Sequence, residues 1–410
     1  MSYTSYTADK ASPFTNAVIQ AMRKLYPEEL ADKSFDNTGL LLEAPFDPVR
    51  RQMNSVLLTI DLTKAVADEA IARKDCVVVA YHPIIFRGLK SLTLADTQQQ
   101  SLLRLALEGI SVYSPHTAVD AAPEGLGNWL ADIVTGDFAD SGSSAQSTTN
   151  GETGNRSSQS EESESPALSK SSSEIEHFTD AESSSERLRP PLPPRPYLNR
   201  QYSSPSYPIL AQEDTDTTMK RDDHTRKTIH PIKDGPPGAG MGRLVTFNKP
   251  QYLTHLIERI ARGVGTPKGF PVAIPQGQSV EDIQIRTVAI CAGSGGSVLK
   301  GVDADLLFTG ELSHHEALAA TEQGRCVITL FHSNTERGFL HNVMKPQLLA
   351  TLGDEWIKVR QEESKREDLP EDWEDAIQDE TIEIEVSKAD RDPYGIVILQ
   401  NSEQEGIPLS

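Results

Sequence analysis

The sequence predicts an α/β fold built from two related halves, each with a largely parallel sheet. Three observations carry that reading. Short runs rich in Val, Ile and Leu, such as VLLTIDL (Val56–Leu62) and CVVVAYHP (Cys76–Pro83), have the length and branching of buried strands and alternate with helical segments. The order strand, helix, strand, histidine occurs twice, in Val56–Pro83 and again in Val288–His315. A long polar tract separates the two occurrences, which places them in separate structured blocks, 12–137 and 238–400.

In chain order, FTNAVIQAMRKLYPEEL reads as a helix ending near Pro27, and SFDNTGLLLEAP as a turn followed by a short apolar strand. TKAVADEAIARK is the helix after the Val56–Leu62 strand. After the Cys76–Pro83 strand come a helix at SLLRLALEG and a strand at ISVYSPHTAVD (Ile110–Asp120). In the second block IRTVAIC is a strand, GSGGSVLKGV (Gly293–Val302) a glycine turn entering a helix, and ADLLFTGE a strand. SHHEALAATEQG is a helix, CVITLFHS a strand, and SNTERGFL the start of another helix. The acidic run EESKREDLPEDWEDAIQDETIEIE (Glu362–Glu385) reads as a solvated face or loop before a final strand-like GIVILQ (Gly395–Gln400).

Composition sets the remaining limits. The chain has 410 residues and a formal charge of -21, which opposes general nucleic-acid binding because a polyanion would be repelled. Three scattered cysteines, Cys76, Cys291 and Cys326, fit a reducing compartment rather than a disulfide framework. No apolar run is long enough to span a membrane, and the first residues carry no export or organelle signal, so a cytoplasmic location is expected, with a nuclear or mitochondrial pool left open. Basic residues between Lys220 and Lys227 are interrupted by acids and a histidine, which makes a weak nuclear signal. From Ser141 to Ser185 there are 16 serines in 45 residues and almost nothing apolar, too little to offset the entropy of ordering the backbone. The span 138–237 is therefore expected to be a disordered insertion. Its proline run, Pro191–Pro196, offers polyproline geometry to an SH3-like or WW-like partner, and its serines suit acidophilic kinases.

Side chains that reach a ligand in a parallel α/β sheet sit beyond the carboxyl ends of the strands. His82, His116 with Asp120, and His332 with Glu336 all occupy such positions. If SNTERGFL opens a helix, the spacing of four puts His332 and Glu336 on one face. His82, Asp120, His332 and Glu336 then form a mixed nitrogen and oxygen shell for a divalent ion, while the bland alternatives are satisfied strand-end histidines, a helix cap and a surface ion pair. Imidazoles suit zinc, iron or nickel, carboxylates also admit manganese or magnesium, and a bridging carboxylate permits two ions. Asp61 is read first as the cap of the following helix and second as a group that orients a ligand. His116 is a candidate for orienting Asp120. Glu311 is a candidate cleft base, and His314 and His315 are assigned to an interface or local hydrogen bonds. The loop Gly293–Ser297 is read as a tight turn, with anion recognition by the next helix as the alternative.

Five ordered motifs resemble the NIF3-like family, whose bacterial members are often named GTP cyclohydrolase 1 type 2 homologues. They are YHPIIFRGLKSL (Tyr81–Leu92), HTAVDAAPEGLGNWLA (His116–Ala131), VAICAGSGGS (Val288–Ser297), TGELSHHEAL (Thr309–Leu318) and FHSNTERGF (Phe331–Phe339). The resemblance implies two α/β halves around a metal-containing interdomain cleft and assembly into a ring-shaped homohexamer. It places the family's ligands on His82, Asp120, His332 and Glu336. Many bacterial members have two consecutive histidines where this chain has Tyr81 and His82, so one imidazole is missing and a second ion is less secure than the first. The functional expectation is a metal-binding protein, read as a metal-dependent hydrolase of unresolved substrate; the alternative is a non-enzymatic metal-dependent scaffold or transcriptional co-regulator.

Overall fold

Local capping chemistry fixes where the helices begin. In the computed structural model, which describes residues 10–47, 52–137, 221–265, 267–367 and 371–397, Ser12 caps α1 (Pro13–Leu25) by accepting from the Phe14 amide at 3.2 Å. After β1 (Gly39–Leu42) and β2 (Ser55–Thr59), Thr63 caps α2 (Lys64–Arg73). β3 (Val77–Ala80) follows, then α3 (Thr97–Leu107), whose first amides are taken by Asp96. β4 (Ser111–Ser114), α4 (His116–Ala121) and α5 (Leu126–Thr135) complete the first block. The second contains β5 (His224–Pro231), β6 (Gly240–Tyr252), α6 (Leu253–Gly263), β7 (Val272–Ala273), β8 (Gln284–Ser294) and β9 (Leu306–Glu311). It continues with α7 (His314–Glu322), β10 (Cys326–Thr329), α8 (Arg337–Phe339), α9 (Lys345–Glu363), α10 (Glu371–Gln378) and β11 (Glu383–Val386).

The strands form two mixed sheets in an α/β fold; the first is largely parallel as expected, whereas in the second three of the five pairings are antiparallel. The first has the order β1-β4-β3-β2-β11 and the second β5-β6-β8-β9-β10-β7. Their central strands are parallel: β11, β2, β3 and β4 in one, β8, β9 and β10 in the other. β1, the β5–β6 hairpin and β7 add antiparallel pairs at the edges.

Alternate side chains along each strand divide between two faces. Leu57, Val78 and Val112 turn outward under α2 and α3, and Ala289, Leu307 and Val327 turn outward beneath α7. The intervening residues, Val56, Leu58, Val77 and Val79 on one sheet and Val288, Ile290, Leu306 and Phe308 on the other, belong to a single core with α1, α4, α5, α6 and α9. The halves therefore share their largest core. Phe14 of α1 meets Trp356 of α9 edge to face at 5.4 Å, both fully buried.

Several elements differ from the expected ones, each for a local reason. The strand expected over Ile110–Asp120 stops at Ser114, because Pro115 lacks the amide that would extend the ladder, and His116 to Asp120 form a short helix instead. The segment after Gly293 makes successive turns rather than a helix; its glycines lower helix propensity and its apolar side chains still bury beneath the sheet. Strand β5 lies within the span expected to be insertion. Its alternating charged residues suit an edge strand, where one face stays solvated, and Arg226 turns back to pair with Asp132 at 2.7 Å. The acidic run holds α10 and β11, and its Ile384 and Val386 carry a period-two apolar face among the acids. β11 joins the first sheet beside β2, so the expected second block also completes the first sheet. Of GIVILQ, residues 395–397 form no strand and the rest lie outside the described residues, as do 138–220 with Pro191–Pro196. Among the described residues no helix is long and apolar enough to cross a membrane.

Because Trp356 joins the first and last long helices through the shared core, Trp356→Ala is expected to cost about 3–5 kcal/mol. Urea unfolding checks this, and a loss below about 1 kcal/mol would show that the α1–α9 contact is not central to the core.

Candidate metal centre

Two strand ends and one irregular helix converge on a small group of candidate donors. β3 carries His82 two residues past its end, and the ladder continues that far: the Tyr81 amide donates to Thr59 O at 2.8 Å and the His82 amide to Ile60 O at 3.0 Å. β10 carries His332 three residues past its end; the ladder continues to Leu330, whose amide donates to Thr309 O at 3.2 Å, and Phe331 then turns through a φ of +65°. Glu336 follows a single 3₁₀ turn, Ser333–Thr335, and the chain then passes through α8 and a π-helical stretch, Leu340–Met344, into α9. Irregular helical starts of this kind occur frequently at functional sites.

One ligand atom from each of His82, His332 and Glu336 lies within 4.8 Å of the others. His82 Nε2 is 3.4 Å from Glu336 Oε2, and His332 Nε2 is 3.7 Å from Glu336 Oε1. Both imidazoles are oriented from behind. Asp61 Oδ1 accepts from His82 Nδ1 at 2.9 Å, and Glu311 Oε1 accepts from His332 Nδ1 at 2.9 Å. Each ring thus commits Nδ1 to a carboxylate and leaves Nε2 facing Glu336, the arrangement by which carboxylates orient metal-binding histidines.

The donor set fits a cation on two further observations. The Glu336 side chain is 2% exposed, and its Oε2 is buried without a hydrogen-bond partner, a costly state unless another positive group completes it. Gly293 has φ +56°, and a Cβ there would come within 2.9 Å of both Glu336 Oε1 and His332 Nε2. Glycine is therefore required twice over at this position, for its left-handed backbone and for the open space beside the donors. Burial alone would lower the His82 pKa, but Glu336 and Asp61 outweigh it and push the imidazole up to about 10, so in the bare protein a proton serves as the compensating charge.

Asp120 stands beside this trio and is held by another partner. Tyr81 Oη donates to Asp120 Oδ1 at 2.6 Å. Burial, with Asp120 and Glu336 nearby, raises the Tyr81 pKa well above its ordinary value, which keeps the phenol protonated as a donor. Burial also pushes Asp120 up to about 6, against the opposing pull of Tyr81 and His116. His116 does not orient Asp120 directly: its Nδ1 pairs with Asp36 Oδ1 at 2.6 Å, and Thr117 also bonds to Asp36. Burial would raise the Asp36 pKa, but these bonds hold it below the usual carboxylate value.

Other readings of the sequence change here. Thr63, not Asp61, caps α2; Asp61 instead holds His82 and accepts from Arg337 at 3.1 Å. The Gly293–Ser297 loop has no helix behind it to hold an anion. The amides of Gly293 and Gly295 are already committed to Thr335 Oγ1 and Glu311 O. Glu311 orients His332, while His314 and His315 are exposed in the first turn of α7 and face each other at 5.3 Å. Arg337, Asp36 and Asp390 were not singled out from the sequence. Arg337 directly follows Glu336 and was legible as part of TERGF, whereas Asp36 and Asp390 occupy irregular loop positions with no distinguishing signal.

The family model described as Duf34/NIF3 (NGG1p interacting factor 3) matches residues 15–367. A Schizosaccharomyces pombe protein called Protein NIF3 homolog is 38% identical over 339 residues, covering 82% of this chain and 90% of that protein. The Homo sapiens NIF3-like protein 1 is 33% identical over 311 residues, covering 76% and 81%. A Staphylococcus aureus hypothetical protein aligns with a TM-score of 0.53 at 17% identity, over 95% of this chain and 100% of the other. A Bacillus cereus protein related to NIF3 aligns with a TM-score of 0.53 at 16% identity, over 93% and 98%. At such identities these two structures speak for the fold alone. By the span of the family model and the similarity to full-length relatives, the chain belongs to the Duf34/NIF3 family.

Proposed function

We propose that this protein binds a divalent metal ion through His82, His332 and Glu336, with Asp120 as a fourth donor, and uses it to hydrolyse a small substrate. The single observation that carries this reading is the buried Glu336 carboxylate, its Oε2 without a hydrogen bond, set between two imidazoles whose Nε2 atoms each face one of its oxygens. Asp120 is assigned through the oxygen that Tyr81 does not use. A bound divalent ion supplies Lewis-acid polarisation of an electrophilic carbonyl, amidine or phosphoryl group. The protein's residues supply the rest. Asp61 and Glu311 fix the tautomers of His82 and His332, and Glu336 and Asp120 balance charge. Zinc, iron, manganese and nickel are all compatible with two imidazoles and carboxylates.

The site is closed on one side and open on the other. Glu336 is 2% and Arg337 6% exposed, whereas the His332 and Glu311 side chains are 40% and 51% exposed. A substrate is therefore expected to approach from the His332 and Glu311 side. Glu311 is placed to orient water there, although its bond to His332 limits its use as a free base.

A second reading is a metal-dependent scaffold acting through partners. The Saccharomyces cerevisiae relative, 32% identical over 336 residues, is called NGG1-interacting factor 3, a name that describes an interaction rather than a reaction. Turnover by the metal-loaded protein separates the readings: hydrolysis of phosphoesters or cyclic amidines that vanishes with the metal supports the enzyme, and no turnover across such a panel supports the scaffold. We also assign the exposed apolar surface of Phe35, Phe86, Leu89, Leu92 and Leu94 to contacts between copies of the chain in a homohexamer. Mass measurement in solution tests this; a monomer at all concentrations and metal conditions overturns it.

Glu336→Gln and His332→Ala are each expected to weaken zinc or manganese binding at least about 100-fold, since each removes a donor outright. Competition with a chromophoric chelator measures the effect, and wild-type affinity in both variants would reject the site. Binding must also displace the proton that His82 holds in the bare protein. With the folded pKa raised from its ordinary 6.5 to about 10, affinity is expected to rise with pH by up to tenfold per unit between pH 7 and 9. A flat profile over that range would mean that His82 is not a ligand.

A further inference from the structure

The segment that follows β11 runs across the back of the site and touches both halves. Glu69 of α2 receives the Ser387 hydroxyl at 2.5 Å and the amides of Lys388 and Ala389 at 3.0 and 3.1 Å. Asp390 Oδ2 then accepts from the Ile60 amide, one residue before Asp61, at 2.7 Å. The same oxygen meets Arg337 Nη1 at 2.7 Å, one residue after Glu336. Asp392 Oδ2 accepts from the Ser333 hydroxyl at 2.6 Å, one residue after His332, and Tyr394 packs against Phe331 at 5.9 Å. Each contact from Asp390 onward thus falls next to a candidate donor or to the residue that orients one.

Arg337 is the junction. Its Nη2 bonds to Asp61 Oδ2 at 3.1 Å and its Nε to Ser333 Oγ at 3.1 Å, while Asp61 Oδ1 holds His82 Nδ1 at 2.9 Å. A continuous chain of charge-assisted bonds therefore runs from Asp390 through Arg337 and Asp61 to His82. The Arg337 and Asp390 side chains are 8% and 4% exposed, so water screens these interactions little. Without Asp390, more of the guanidinium charge would fall on Asp61, which would then polarise His82 less and leave Nε2 a weaker donor.

We propose that Asp390, assisted by Asp392, is a positioning residue for the His82–His332–Glu336 centre, and that the strap 387–394 is energetically coupled to metal binding. The inference rests on the metal reading above. Coupling is reciprocal, so an ion that holds His82, His332 and Glu336 in place must also secure the strap, and a secured strap must raise affinity for the ion.

The test uses the full chain with Co²⁺ as probe. Wild type, Asp390→Asn and Asp392→Asn are titrated by chelator competition and by the visible absorption bands of Co²⁺, and amide hydrogen exchange of residues 387–394 is followed with and without it. Asp390→Asn should weaken binding about 10- to 100-fold and alter the bands, with a smaller effect for Asp392→Asn. Co²⁺ should slow exchange across the strap in wild type and fail to do so in Asp390→Asn. If Asp390→Asn does not fold, Asp392→Asn and the wild-type exchange measurement decide the matter. Unchanged affinity, bands and metal-dependent exchange would overturn the proposal, and so would a lower melting temperature with wild-type Co²⁺ affinity, because Asp390 would then be a structural anchor alone. A wild-type protein that takes up no Co²⁺ overturns the metal reading itself, an outcome distinct from wild-type binding that the variants do not disturb.

Discussion

A buried carboxylate needs a positive partner, and the centre is organised around that requirement. Glu336 is nearly inaccessible to water and has one oxygen with no hydrogen bond, so its charge must be balanced by whatever the facing imidazoles provide. Glu336 and Asp61 raise the His82 pKa, which favours a proton as that charge, and a divalent ion in the same gap would replace it. Asp61 and Glu311 strengthen either solution, because each places a negative charge behind an imidazole and makes its front nitrogen more basic. Asp61 is itself held below its ordinary pKa: burial would raise it, but the bond to His82 and the charges of His82 and Arg337 prevail. The centre is thus a set of acids and bases that stabilise one another's charged forms around a single gap.

The fold makes such a gap possible by keeping two strand ends at a fixed separation. His82 extends from β3 and His332 from β10, in different sheets, yet the inner faces of both sheets pack into the same core. A shared, close-packed interior resists relative movement, which a donor set tolerating only a few tenths of an ångström requires. β11 adds to this by pairing with β2, and the segment beyond it reaches the residues after β10. Local backbone strain lies close to the same place: His116 and Phe331, neither of them glycine, have φ of +30° and +65°. Non-glycine residues occupy this region only when surrounding contacts over-determine them, and Phe331 directly precedes His332.

Periodicity and turn chemistry made the parallel strands, most helices and the meeting of His82, His332 and Glu336 legible. Buried parallel strands are continuous apolar runs, and the residues just beyond their ends are polar for a reason. Other features were hidden because their signals are mixed. The apolar alternation of Ile384 and Val386 is diluted by acids that point to solvent, and β5 carries the charges of an edge strand. Asp120 looked like a strand-end residue because the apolar run continues past Pro115, although that proline ends the strand. The bonds of Asp390 cross more than fifty residues of sequence to Arg337 and far more to Ile60, and no local pattern encodes such a contact.

Tyr81 shows how a departure from a motif can have a physical role of its own. The resemblance marks this position as a missing imidazole, and a neutral phenol is a weak substitute for one as a metal donor. Here the phenol is sealed in beside two carboxylates, which removes any tendency to ionise and leaves it as a hydrogen-bond donor to Asp120. Two effects follow for Asp120. One oxygen is occupied, and the carboxylate's negative charge is partly stabilised without a cation. Its ring also packs at 5.0 Å from His82 and 5.5 Å from His116, so it fills the space between them as well as bonding across it. A hydrogen bond from a neutral phenol stabilises the Asp120 carboxylate without adding a positive charge.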